Sequence, residues 1–167
     1  MRPTDDIEPV PDPGLADGRQ SERARNISRG AQRALAARGF RAIPEVSLAD
    51  GRRADLIAID ETGAIWIVEI KSSLEDFRTD AKWPEYRAWC DRLFFAVSTD
   101  FPRQVLPEDT GLILADRYGG EIVREAPEVR LAGARRKAVT LRICRVATGR
   151  LMTLADPERA YEALPWA

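Results

Sequence analysis

The chain has 167 residues, 44% of them hydrophobic and 32% charged, with a net charge of −1. That is enough apolar material for one domain with an ordinary core and too little for a multidomain machine. There is no histidine, which excludes Ser-His-Asp and Cys-His catalysis and makes a zinc site improbable; metal chemistry must rest on oxygen ligands, which favour Mg²⁺ or Mn²⁺.

The first stretch, residues 1–18, carries Asp5, Asp6, Glu8, Asp12 and Asp17 among prolines and glycines and reads as a disordered acidic tail. Residues 19–167 read as a single domain. No apolar run approaches the roughly 20 residues that cross a bilayer, and acid and proline stand where a signal peptide needs an apolar stretch. The expectation is a soluble cytoplasmic protein with no membrane partner. Cys90 and Cys144 lack metal-ligand spacing and read as reduced core thiols.

Ser21 is an N-cap candidate for a helix reaching about Arg38, with Ala24, Ile27, Ala31, Ala34 and Leu35 on one face and Arg25, Arg29 and Arg33 on another. Gly39 ends it. A strand follows over roughly Phe40 to Leu48, then the turn Ala49-Asp50-Gly51. Arg53 to Lys71 reads as two strands joined by Glu61-Thr62-Gly63, with Gly63 left-handed. If the loop closes symmetrically, Asp55 falls opposite Glu69, and Arg53 opposite Lys71. Ile57, Ile59, Ile65 and Ile67 share the Asp55 face, while Leu56, Ala58, Trp66, Val68 and Ile70 fill the other. Strands apolar on both sides belong at the centre of a sheet covered by helices.

Ser72-Ser73-Leu74-Glu75 is a capping-box pattern opening a helix to about Thr79, and Pro84 opens a second to about Arg92. Leu93 to Ser98 and Gly111 to Ala115 are strands, and Tyr118-Gly119-Gly120 turns into Glu121 to Arg124. Ala132 to about Thr148 reads as a basic helix, although Val139, Leu141 and Ile143 alternate as in a strand. Asp156-Pro157 starts a short C-terminal helix.

Chemistry gathers at the central hairpin. Asp55 and Glu69 converge as two carboxylates, the Ile70 carbonyl adds an oxygen at the strand end, and Lys71 returns to the Glu69 face. Such a set suits an oxygen-ligated divalent metal beside a water, with the ammonium positioning that water or stabilising charge on a phosphoryl group. The same spacing also fits a plain cross-strand ion pair at an exposed strand end.

The residues Asp55, Glu69 and Lys71, in the order helix, strand, hairpin, helix, strand, resemble the PD-(D/E)xK nuclease superfamily. The longer stretches GRRADLIAID, WIVEIKSSLEDFRTD, KWPEYRAWCDRLFFAVS and GLILADRYGGEIVREAP are similar to the MmcB-like DNA repair proteins, a resemblance covering nearly everything after the tail. It implies a restriction-endonuclease-like three-layer α/β/α core with a mixed sheet, a DNA substrate and a divalent metal, with no organic cofactor. Ala54 stands where the superfamily's name-giving proline would be; that proline only shapes the strand, so the ligand assignment stands.

Further candidates each have two readings. Glu45 is a further metal ligand or an edge-strand surface acid. Glu22 is a helix-borne catalytic acid or a favourable charge in a first turn. Lys82 and Tyr86 contact phosphate, or Tyr86 packs with Trp83 and Trp89. Arg53 binds phosphate or pairs with Asp55. Arg25, Arg29, Arg33, Arg135, Arg136 and Lys137 are DNA-backbone contacts or solvated helix faces. The function expected is that of a metal-dependent DNA nuclease in repair. The alternatives are a catalytically inactive nuclease fold that holds DNA or a repair-protein partner, and a pure protein-interaction domain. A lone centre cuts one strand at a time, so oligomeric state separates nicking from double-strand cleavage.

Overall fold

The computed structural model describes residues 21–158. The expected acidic tail lies outside them, as does nearly all of the expected C-terminal helix. Chain order is α1 (Glu22–Ala37), β1 (Arg41–Ser47), β2 (Arg53–Ile59), β3 (Ile65–Lys71), α2 (Leu74–Thr79), a 3₁₀ segment (Trp83–Trp89), β4 (Arg92–Val97), a short 3₁₀ turn (Arg103–Val105), β5 (Gly111–Ala115), β6 (Gly120–Arg124) and α3 (Gly133–Ala155). The six strands form one sheet in sequence order. β1–β2, β2–β3 and β5–β6 are antiparallel, and β3–β4 and β4–β5 are parallel. Each parallel pair needs a crossover, which the α2 segment and the loop before β5 supply.

The hairpin has the register that symmetry predicts, with Leu56 opposite Val68 and Ile57 opposite Ile67. Its loop is longer than the three residues expected. Asp60 Oδ1 accepts from the Thr62 and Ala64 amides, both at 2.9 Å, and Gly63 takes φ +81°. Asp60 is therefore part of the turn, because its short side chain substitutes for backbone acceptors.

The two faces of this hairpin build different cores. Leu56, Ala58, Trp66, Val68 and Ile70 meet Ile27, Ala31 and Leu35 of α1. Ile57, Ile65 and Ile67 meet Tyr86, Cys90 and the α3 residues Val139 and Ile143. The result is the three-layer α/β/α architecture expected. Trp66 fixes the α1 side by stacking between Phe40 and Phe94, at ring distances of 4.0 and 4.8 Å.

Several local expectations shift. The α2 cap is Ser73, whose Oγ accepts from Asp76 N–H at 3.1 Å while Asp76 Oδ2 accepts from the Ser72 amide at 3.0 Å; the cap sits one residue later than Ser72 and Glu75 suggested, and the return bond reaches the residue before it. The Pro84 segment is 3₁₀ and stops at Trp89. The expected basic helix is α3, Gly133–Ala155, since Val139 and Ile143 share its buried face while Leu141 is 54% exposed. Cys90 is buried as expected, but Cys144 lies on the exposed side of α3. α3 is held to the sheet by arginines. Arg142 donates to the Ser47 carbonyl, and Arg150 to those of Pro44 and Glu45 at 2.6 and 2.9 Å.

Candidate metal centre

β2 and β3 pair regularly only as far as Leu56 and Val68. Beyond that, a side chain replaces the ladder. Asp55 Oδ2 accepts from the Ile70 N–H at 2.7 Å, and the Asp55 N–H donates to Glu69 Oε1 at 3.4 Å. The amide and carbonyl of one strand residue face the same neighbour. The Ile70 carbonyl thus also faces the β2 side, past the end of the ladder. Asp55, Glu69 and Ile70 are brought together at one strand end, as their spacing implies.

Glu69 and Lys71 are each only 4% exposed. Lys71 Nζ lies 2.6 Å from Asp80 Oδ2 and 3.9 Å from Glu69 Oε2. Asp80, the residue ending α2, is a member of the site that the motif pattern did not reveal. A hint was present, an acid at the end of the helix that follows the lysine, but nothing local ties its side chain to Lys71. Glu45 faces this region from β1, between the Pro44–Leu56 and Val46–Ala54 pairs, and adopts φ +53°, a left-handed conformation uncommon for a residue other than glycine. Its Oε2 accepts from Arg53 Nε at 2.6 Å.

Three carboxylates therefore surround one buried ammonium, and their ionisation reflects the imbalance. Burial pushes the Asp55 carboxyl up to about 6, aided by the fields of Glu45 and Asp76 and opposed by the Ile70 amide and Lys71. Glu69 is raised well above the usual carboxylate range by burial and then by Asp55. Burial alone would lower Lys71, but the Asp80 hydrogen bond and the Glu69 charge outweigh it and hold the ammonium above its ordinary value. Burial works against ionised Asp80 too, yet the Lys71 contact and the Lys82 amide keep its carboxyl low.

Among the described residues no group of three or more His, Cys, Asp or Glu side chains is arranged to hold a metal ion. The donor set is two carboxylates and a carbonyl, with an excess of negative charge. That set fits Mg²⁺ or Mn²⁺, hard cations that bind through one or two carboxylates and retain water.

The other candidates fall in three places. Tyr86 packs beneath the site and donates its hydroxyl to the Arg53 carbonyl at 2.8 Å, while Lys82 is exposed at the start of the 3₁₀ segment. Arg135 lies over the Trp89 ring, Arg136 forks onto buried Asp91 with two 2.7 Å bonds, and Lys137 is exposed. On α1, Arg25 and Arg29 are exposed, whereas Arg33 donates to the Arg117 and Tyr118 carbonyls. Glu22 lies on the α1 layer and lines a cavity that includes neither Asp55 nor Glu69.

Comparison with known proteins places this geometry in a family. Residues 11–158 match the family described as DNA repair protein MmcB-like. The chain belongs to the MmcB-like DNA repair protein family. The fold of this MmcB-like chain is also that of a solved structure, the SPO1766 protein of unknown function from Silicibacter pomeroyi, with 43% identity and a TM-score of 0.82 over 86% of this chain and 99% of the other. No curated protein matches. Among the described residues of the MmcB-like chain, no helix is long and apolar enough to cross a membrane.

Proposed function

We propose that this MmcB-like protein is a metal-dependent DNA nuclease acting in repair, hydrolysing phosphodiester bonds at the end of the β2–β3 hairpin. The observation that carries this reading is the burial of Glu69 and Lys71 beside Asp55 at the point where the strand ladder gives way to side-chain bonding. An ordinary surface ion pair would leave these groups wet and their carboxyls unshifted.

Asp55, Glu69 and the Ile70 carbonyl would hold Mg²⁺ or Mn²⁺, which when bound supplies positive charge to a phosphodiester and acidity to water. Lys71 keeps its proton, so it serves as a donor, orienting the attacking water or a phosphate oxygen, and not as a base. Asp80 aims that ammonium. Glu45 and Arg53, paired with each other at the mouth of the site, are the nearest residues to meet a neighbouring phosphate or a further cation. The exposed Arg25, Arg29 and Lys137 would contribute phosphate-backbone affinity with little sequence discrimination.

Purified protein incubated with duplex, single-stranded and branched DNA in Mn²⁺ should cleave at least one of them, and chelation should stop it. Asp55→Ala and Lys71→Ala should each lower the rate by about 100-fold or more, the scale seen when one preorganised charge contact is removed. Cleavage unchanged in both variants overturns the assignment. The Lys71–Asp80 contact favours one second reading, a site that holds DNA without cutting it. That reading requires salt-dependent DNA binding with no metal requirement and repair in cells that survives Asp55→Ala.

A further inference from the structure

A cavity of about 500 Å³ opens at the carboxyl ends of β4 and β5, lined by Glu22, Arg23 and Asn26 of α1, Ser98 and Asp100 after β4, and Arg117 and Tyr118 of the β5–β6 turn. Open α/β sheets bind ligands at this edge. It is also the edge of the proposed metal centre, since Lys71 pairs with Val97 and Val97 with Leu114. Two strand spacings, about 10 Å, separate β3 from β5. The cavity lies toward the α1 layer, and Asp55 and Glu69 belong to the opposite face.

Its most unusual member is Tyr118, an aromatic side chain 74% exposed on a turn that is rigidly held. Asp116 Oδ1 accepts from the Tyr118 and Gly119 amides at 2.7 and 3.0 Å, and Arg33 Nη1 donates to the Arg117 and Tyr118 carbonyls at 2.9 and 2.6 Å. α1 packs so closely here that a Cβ on Gly30 would come within 2.2 Å of the Asp116 carbonyl oxygen. An exposed ring on a fixed backbone loses little entropy when something stacks on it. The Arg117 guanidinium lies 5.2 Å from the ring centroid, ready to extend the stack or meet a phosphate.

The polar side of the cavity divides in two. Arg23, Ser98 and Asp100 satisfy one another. Glu22 and Asn26 make no side-chain hydrogen bond among the described residues. A carboxylate only accepts, while an amide both donates and accepts. Together they match the Watson–Crick edge of an unpaired base, which offers Glu22 a donor in every case, an exocyclic amino group in adenine, cytosine and guanine and the N3–H in thymine.

We infer that this cavity binds an unpaired nucleobase of the DNA strand engaged at the metal centre, with Tyr118 as the stacking platform and Glu22 and Asn26 reading the base edge. The inference rests on the DNA reading above and narrows its substrate class to single-stranded, flapped or branched DNA. Glu22 then belongs to base recognition, not to the hydrolytic step.

The test is equilibrium binding of labelled oligonucleotides by fluorescence anisotropy in chelator, where cleavage plays no part. Oligo-dA, oligo-dC and oligo-dT should all bind, because every base has a face to stack on Tyr118. Tyr118→Ala should weaken single-strand binding about tenfold with duplex affinity unchanged, and Tyr118→Phe should restore it. Glu22→Ala should weaken single-strand binding with duplex affinity unchanged. Equal losses on duplex and single strand, no loss at all, or wild-type protein that binds no single strand overturns the inference. Mn²⁺-dependent duplex cleavage alongside any of those results leaves the nuclease reading intact, so the two failures are distinguishable.

Discussion

Asp91 and Glu69 are almost equally buried, at 3% and 4% exposed, yet their surroundings have opposite characters. Asp91 is saturated. It accepts from the Ile65 and Leu131 amides and from both Nη atoms of Arg136, all at 2.7 to 2.9 Å. Burial works against its charge, but these donors, Arg136 foremost, hold the carboxyl below its ordinary value. Glu69 shares one lysine with Asp55 and Asp80, and its carboxyl is driven up. Burial is common to both; what separates a structural acid from a candidate functional one is whether its lone pairs already have donors.

The largest stability effect should come from breaking the saturated acid. Arg136→Met leaves Asp91 charged, buried and short of its fork, and should cost about 3 to 5 kcal/mol in urea unfolding. Asp91→Asn should also destabilise, because the Ile65 and Leu131 N–H groups bond different oxygens of Asp91 and an amide keeps an acceptor for only one of them. If Arg136→Met were neutral in stability but weakened DNA binding, Arg136 would be a phosphate contact and the contrast between the two acids would collapse.

The opposite sign is expected at the proposed metal centre. The folded-state value of Asp55, about 6, lies above its unfolded value near 3.8, so its carboxylate costs stability increasingly as pH rises through that window. Asp55→Asn should stabilise the metal-free protein by about 1 to 2 kcal/mol above pH 6, with the gain vanishing below pH 4, while the proposed cleavage is lost. Asp91 behaves inversely. Its value is depressed, so its contribution is full above the unfolded carboxylate range and lost as pH falls through the folded value. Thermal melts of both variants from pH 3.5 to 8 check this. A destabilised Asp55→Asn at pH 8 would show that its carboxylate is satisfied after all.

The hairpin, its register and its two apolar faces were legible because strand alternation writes the partner of each residue into its number. That Asp55, Glu69 and Lys71 meet at one strand end was legible for the same reason. Asp80 was not, as its side chain reaches Lys71 from the end of α2, nine positions on. Asp91 was further out of reach, with its guanidinium partner 45 residues downstream. In the basic stretch 130–150, composition does not say which cations the fold itself engages. Its arginines suggest a surface for a polyanion, yet Arg136, Arg142 and Arg150 spend donors on Asp91 and on sheet carbonyls. Periodicity finds an apolar stripe but does not say which flanking cations reach over it to the sheet, since a long side chain beside the stripe can bury its stem and turn its head inward.

The smallest predicted effects sharpen that last point. Exposed Arg25, Arg29 and Lys137 engage no partner among the described residues, unlike Arg33 and Arg136. Alanine at each should leave melting within about 0.5 kcal/mol of wild type and reduce the slope of log affinity against log salt by about one for every phosphate contact removed. Arg33→Ala should do the reverse, loosening the Tyr118 turn with little change in the duplex salt slope. Measuring DNA binding across a salt series separates the two groups, because a released counterion appears in the slope and a lost structural bond does not. Slopes equal to wild type in all four variants would mean that none of these four side chains meets a phosphate, and would shift the expected contacts to the hairpin end and the cavity beside it.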